Sequence, residues 1–301
     1  MLTFSSLLRA LPGNVAQGMI WGIMALGLYV TYKILNFSDL TVDGSFSTGA
    51  AVGVMLIING VPALLSVIIA FLVGCIAGLI TGLLHTVLKI APILSGILTQ
   101  IALYSINLHI LGNKANQAVN VNEYHLLLSL RDTNKSILVA LLFAIGLMLI
   151  LYWFFGTELG SAIRATGSNE QMAKAQGINI NLMKVTALAL SNGIVALGGA
   201  LLAQYQGFAD VSVGRGAIVI GLAAIIIGTV VVGANKKEHN FLLLLGSAVI
   251  GGVIYYIFIG VVLWLKLPTN DMKLFTAIIV AIFLSLPHLK IKKKEKKDAT
   301  N

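Results

Sequence analysis

Few polar residues interrupt the long apolar runs of this chain, so any chemistry must come from those few and from their spacing. The stretch from Asn36 to Thr48 groups Asn36, Asp39, Asp43, Ser45, Ser47 and Thr48 around Gly44. Two acids, several hydroxyls and a glycine suit a partly unwound segment, broken at Gly44, that lines a water-filled route through lipid. They suit a solvated loop equally well. Gln100, Tyr104 and Asn107 fall near one face of another apolar run, and Ser191, Asn192 and Gln204 mark a third. Polar groups are costly in hydrocarbon, so each of these either meets a solute or bonds one helix to the next. His85, His109, His125, His239 and His288 stand near the ends of apolar runs or in loops, without the His-x-x-x-His or Glu-x-x-His spacing of a metal site. No Ser/His/Asp set and no pair of carboxylates shares one membrane depth, which leaves no catalytic, metal or cofactor residue to name. Cys75, inside an apolar run, reads as a small buried hydrophobe.

The elements that must carry these residues follow from composition. Of 301 residues 58% are hydrophobic and only 10% charged, with a mean hydropathy of +0.95. A water-soluble domain carries about a quarter charged residues, so a soluble enzyme is excluded and lipid is the solvent. The net charge of +9 does not point to nucleic acid, because six lysines, Lys290, Lys292, Lys293, Lys294, Lys296 and Lys297, crowd the final residues as a basic tail. A bilayer core takes about 20 apolar residues per helix. The chain divides into about nine such stretches: 14–34, 44–60, 62–84, 90–111, 136–155, 182–206, 217–234, 241–265 and 273–288. None alternates as a barrel strand would. The expected fold is all-α, a polytopic membrane helix bundle formed by residues 1–289 as one domain, followed by the tail 290–301.

Lys and Arg collect on the cytoplasmic side of membrane proteins. With the lysine tail inside, Lys236 and Lys237, the polar segment holding Arg164, Lys174 and Lys184, and Lys89 all fall inside as well. The Asn-rich loop 112–135 then lies outside, as does the N-terminus, and no cleavable leader is expected. Gly18 and Gly22, Gly49 and Gly53, and Gly74, Gly78 and Gly82 recur at four-residue spacing, which sets them on single helix faces where backbones approach closely.

Segment 156–181 is the longest polar connector between spans. Ser168 with Gln171 forms a capping box and Gly177 supplies a left-handed stop, giving a short helix from Asn169 to Gln176. Glu170 and Lys174 pair at four-residue spacing, and Met172, Ala173 and Ala175 offer a small, partly apolar face. A capped helix alone at the membrane surface is suited to docking.

The same segment resembles the coupling-helix motif of permease subunits of ATP-binding-cassette importers, in the group of the branched-chain amino acid and ribose-type permeases. The shared pattern stands here as Arg164, Ala165, Gly167, Asn169, Ala173, Gly177 and Ile178. Two further passages are similar to that group's, Asn36 to Phe46 and the glycine-rich run Gly214 to Gly228, so the resemblance covers nearly the whole chain. It implies a short cytoplasmic coupling helix, with Arg164, Gly167, Ser168, Asn169, Met172, Ala173 and Gly177 meeting an ATPase. It implies two cytoplasmic ATP-binding subunits, a second permease chain forming a homodimer, and an extracytoplasmic substrate-binding protein, all at a bacterial cytoplasmic membrane. ATP would bind on the partner, since no Gly-x-x-x-x-Gly-Lys-Ser/Thr motif occurs in this sequence. Asp43 precedes Gly44 where the sugar-type pattern runs directly to glycine, so an amino acid is favoured over a sugar or nucleoside. The candidate path comprises Asn36, Asp39, Asp43, Ser45, Thr48, Gln100, Tyr104, Ser191 and Asn192. An ion-coupled secondary transporter is the rival reading, because unwound helices and intramembrane acids also suit ion coupling.

Overall fold

The computed structural model describes residues 4–121, 123–232, 240–265, 274–278 and 280–281. Ten α-helices make up nearly all of it: α1 Phe4–Tyr29, α2 Thr41–Ile58, α3 Ala63–Thr86, α4 Pro92–Ile110, α5 Thr133–Gly156, α6 Glu158–Ser168, α7 Glu170–Ala175, α8 Ile180–Gln206, α9 Ala217–Val231 and α10 Phe241–Trp264. A π-helical turn, Val30–Ile34, extends α1. Two three-residue strands, β1 Asn116–Ala118 and β2 Phe208–Asp210, pair antiparallel.

Among the described residues seven helices are long and apolar enough to cross a bilayer, and α9, with 15 residues, is shorter. These match the first eight expected stretches. The ninth, 273–288, lies mostly outside the described residues, as does the lysine tail. Pro12 stands inside α1, which begins earlier than the apolar run does. Such a proline is tolerated in membrane helices because neighbours re-satisfy the freed carbonyl.

The helices divide by what covers them. In α1, α2 and α8 78% of the most apolar window is buried within the chain, against 22% in α5. The first three form the centre, while α5 turns Leu138, Leu142, Leu149 and Trp153 outward as lipid-facing helices do. Close approach at the centre depends on the glycine faces. A Cβ on Gly49 would strike the backbone of Ala196, and one on Gly78 that of Leu188. One on Gly18 would strike Val253. Lipid offers no hydrophobic drive between helices, so this packing supplies much of the association energy.

Loop contacts sort into two ends. At one, Phe37 meets His85 edge to face, the His85 Nδ1–H donates to the Ile90 carbonyl at 2.8 Å, and Gly167 lies against Ile34 and Leu35. At the other, Tyr124 donates to the Ile58 carbonyl, β1 pairs with β2, and Gln204 bonds both the Leu127 N–H and the Ala63 carbonyl. Loops 35–40, 87–91 and 157–179 therefore share one end, which agrees with the alternation that the lysines and arginines call for.

Candidate functional site

The polar connector folds into two helices where the sequence suggested one. Thr157 caps α6, accepting from the Gly160 N–H at 3.3 Å. Its buried face is Gly160, Ile163 and Thr166, with Gly160 tight against Phe154 and Phe155. Because that face is made mostly of small residues, no apolar run announces the helix. Ser168, expected as an N-cap, is instead the last residue of α6. Asn169 is the cap of α7: its Oδ1 accepts from the Met172 N–H at 3.1 Å, the standard geometry for an Asn at this position. Gly177, at φ +81°, ends α7 as expected, and the Ile178 N–H reaches the Ala173 carbonyl while the Gly177 N–H reaches that of Lys174.

Glu170 pairs with Lys184 of α8 at 2.6 Å rather than with Lys174. The tertiary partner prevails because α7 lies along the start of α8, which Asn179 caps. Ala173 is buried, only 3% exposed, so it pins α7 to the bundle, whereas Met172 is 63% exposed. Arg164 extends over the Phe241 ring, 6.0 Å from its centroid. A Cβ on Gly167 would collide with the Ile34 carbonyl. The result is a fixed hook, α6–α7, that presents Arg164, Ala165, Ser168 and Met172 outward. Beside it Lys89, Lys174 and Lys184 with Glu170 line a cavity of about 410 Å³, electropositive on balance.

Most of the Asn36–Thr48 segment is helical rather than unwound. Helix α2 begins at Thr41, so Gly44 lies within a regular helix and is no break. It is the close contact to Gln100 and Leu103 of α4 that needs a glycine there. Only residues 36–40 are irregular, with Asn36 exposed and left-handed at φ 55°. Asp39 is buried; it accepts from the Thr41 N–H at 2.9 Å and the Asn192 Nδ2 at 2.7 Å. Burial pushes its carboxyl above the ordinary carboxylate range, and those two donors pull the other way. Ser45 donates to the Asn192 Oδ1 at 2.6 Å, and Thr48 to the Gly44 carbonyl. Ser191 donates to the Gly27 carbonyl at 2.7 Å. Thr41, Thr81 and Thr99 join α2, α3 and α4 at 2.7 and 2.9 Å. Apart from Thr48, which bonds its own helix, these groups spend their hydrogen bonds across helices, as helix-to-helix glue.

A second polar cluster differs. The chain leaving β2 runs back along α2: Ala209 and Val211 pack with Ala51, Val54 and Ile57, and the Gly214 N–H then donates to the Ser47 Oγ at 2.9 Å. There Asp43 receives the N-terminus of α9, its two carboxylate oxygens accepting the Gly216 and Ile218 N–H groups at 2.9 Å each. A carboxylate at this end also complements the helix dipole. Between this turn and α4 opens a cavity of about 230 Å³ lined by Asp43, Gly44, Ser47, Gln100, Tyr104, Asn107 and Arg215, among others. Of the candidate path, Asp43, Gln100 and Tyr104 reach it, whereas Asn36, Asp39, Ser45, Thr48, Ser191 and Asn192 do not line it. Arg215 is the residue that sequence reasoning passed over. Its signal was a single arginine in an apolar passage, Gly214 to Gly228, read only for its glycines.

A polytopic helical bundle with a surface hook and an open polar cavity at membrane depth defines a membrane permease. Comparison with known proteins places it further: the family model described as branched-chain amino acid transport system, permease component, matches residues 13–285, and the chain belongs to that family. It is 39% identical to a tyrosine transport system permease protein of Clostridioides difficile (strain R20291), over 93% of this chain and 92% of the relative. An uncharacterized protein, RP368, of Rickettsia prowazekii (strain Madrid E) is 33% identical over 89% of this chain and 94% of its own. The nucleoside ABC transporter permease protein NupC of Lactococcus lactis subsp. cremoris (strain MG1363) is 34% identical over 45% of this chain and 43% of its own. This is a family of transport permeases, not of catalytic enzymes.

Proposed function

We propose that this chain is the membrane subunit of an ATP-driven importer for a small polar solute, with an amino acid favoured. The near full-length likeness to a permease named for tyrosine supports that choice over the partial likeness to one named for nucleosides. Two chains would enclose the route, an extracytoplasmic binding protein would deliver the solute, and two ATP-binding subunits would dock on the cytoplasmic hooks. ATP-driven closure of those subunits moves the hooks, and the bundle alternates between inward-open and outward-open states.

The observation that carries this reading is the hook itself. Helices α6 and α7 are held rigidly by Gly167, Ala173 and the Glu170–Lys184 pair, yet they expose the apolar Met172 side chain at their tip. A solvated linker has no need of such anchoring. Replacing Met172 with Glu removes apolar contact from the docking face without touching the bundle. ATP hydrolysis by the assembled complex should continue while uptake falls at least tenfold, with the chain present in the membrane at normal amounts. Unchanged uptake would refute docking through α7.

A further inference from the structure

The cavity beside α4 holds groups that the fold leaves unused. Asn107 is wholly buried, and neither its Nδ2 nor its Oδ1 has a hydrogen-bond partner among the described residues. A buried amide with both ends unmade is costly, and helix-to-helix glue would not leave it standing. The side chain lines the cavity, so a ligand there can satisfy it. Arg215 lies at the same cavity, over the Tyr104 ring at 5.4 Å from its centroid, and forms no ion pair among the described residues. The one acid lining the cavity, Asp43, has both oxygens committed to the backbone of α9.

Arg215 is exposed on this chain, yet it stands at membrane depth. Its neighbour Gly214 contacts the Asp43 carbonyl in the first turn of α2, at the opposite end of that helix from Ile58. From Asp43 to Ile58 the helix advances fifteen residues, a rise of about 22 Å. A charged side chain at such depth is unfavourable in lipid, so it faces water or a solute. The surroundings then define what that solute carries. A guanidinium with no ion pair among the described residues matches a carboxylate, the Asn107 and Gln100 amides can bond a carboxylate or an ammonium, and the Tyr104 ring with Ile101 and Val211 offers an apolar wall.

We propose that this cavity is a transit site for an α-amino acid with an apolar or aromatic side chain, in which Arg215 and Asn107 take its carboxylate. The proposal rests on the importer reading above. It excludes sugars and nucleosides, which have no carboxylate to set against Arg215.

The test uses the complete transporter, with its ATP-binding and solute-binding partners, in membrane vesicles supplied with labelled L-tyrosine, L-leucine, D-ribose or uridine. The expected result is ATP-dependent uptake of an amino acid only. Arg215→Gln and Asn107→Asp, the second placing a carboxylate where the solute's would sit, should each lower its maximal rate at least tenfold. Arg215→Lys should retain a substantial part of the rate, and all three should keep normal membrane abundance. Recovery by lysine separates a charge-binding role from a purely structural one. Uptake of ribose or uridine by the wild-type complex, or amino acid uptake unchanged in Arg215→Gln, overturns the proposal and leaves the importer reading standing. Failure of Arg215→Lys to recover any rate points to a structural arginine and overturns it too. If the wild-type complex shows no ATP-dependent uptake of any probe, the importer reading fails and the proposal with it.

Discussion

The junction of α2 with α8 and the cavity beside α4 hold similar residues but use them differently. At the junction Asp39, Ser45 and Asn192 are buried, and each bonds another member at 2.6–2.7 Å. At the cavity Asn107 is equally buried and bonds nothing among the described residues, while Arg215 and Tyr104 stand open to it. The residue types are alike, an amide and a charged group in each. What separates glue from lining is whether the protein itself completes the hydrogen bonds. A satisfied intramembrane cluster stabilises one packing of the helices, whereas an unsatisfied one is costly unless a solute or water fills it.

That contrast can be broken most directly at Asn192. Leucine there keeps the volume but leaves Asp39 and Ser45 without their shared partner, and the loss should be about 3 kcal/mol. In detergent the variant should melt well below the wild type, and uptake should fall only as far as the amount of folded protein does. A smaller change is expected at Asp43. Alanine there removes the acceptor for two N–H groups of α9, at roughly 2 kcal/mol. Because α9 follows directly from Arg215, uptake per folded molecule should drop as well, which a pure stability effect would not produce. The smallest stability change belongs to Asn107→Leu. No bond is lost and an unsatisfied amide disappears, so the melting temperature should stay level or rise, while uptake still falls. If Asn107→Leu destabilised the chain as Asn192→Leu does, the distinction between the two regions would collapse.

The sequence showed the bundle well because its signal is local. Apolar runs such as 62–84 and 182–206 map onto α3 and α8, and the four-residue glycine spacing in 49–53 and 74–82 became the contacts to α8. The end of α7 was equally readable, since Gly177 needs only its own positive φ. Its start was misread by one residue. Ser168 and Asn169 are both good caps, and the choice was made by α6, which runs through to Ser168. The polar residues were legible in type but not in role. Whether Asn192 faces a solute or Asp39 depends on a partner far away in the chain, and no spacing rule reports that. Arg215 needed the return of the chain along α2 to be seen beside Tyr104.

The most direct test of the account is the energy source for transport. With the chain reconstituted alongside its ATP-binding and solute-binding partners in sealed vesicles, labelled L-tyrosine or L-leucine should accumulate only when hydrolysable ATP reaches the face carrying α6 and α7. Dissipating the proton and sodium gradients should leave that accumulation intact. Uptake by this chain alone, driven by an ion gradient and indifferent to ATP, would contradict the account and make it a secondary transporter.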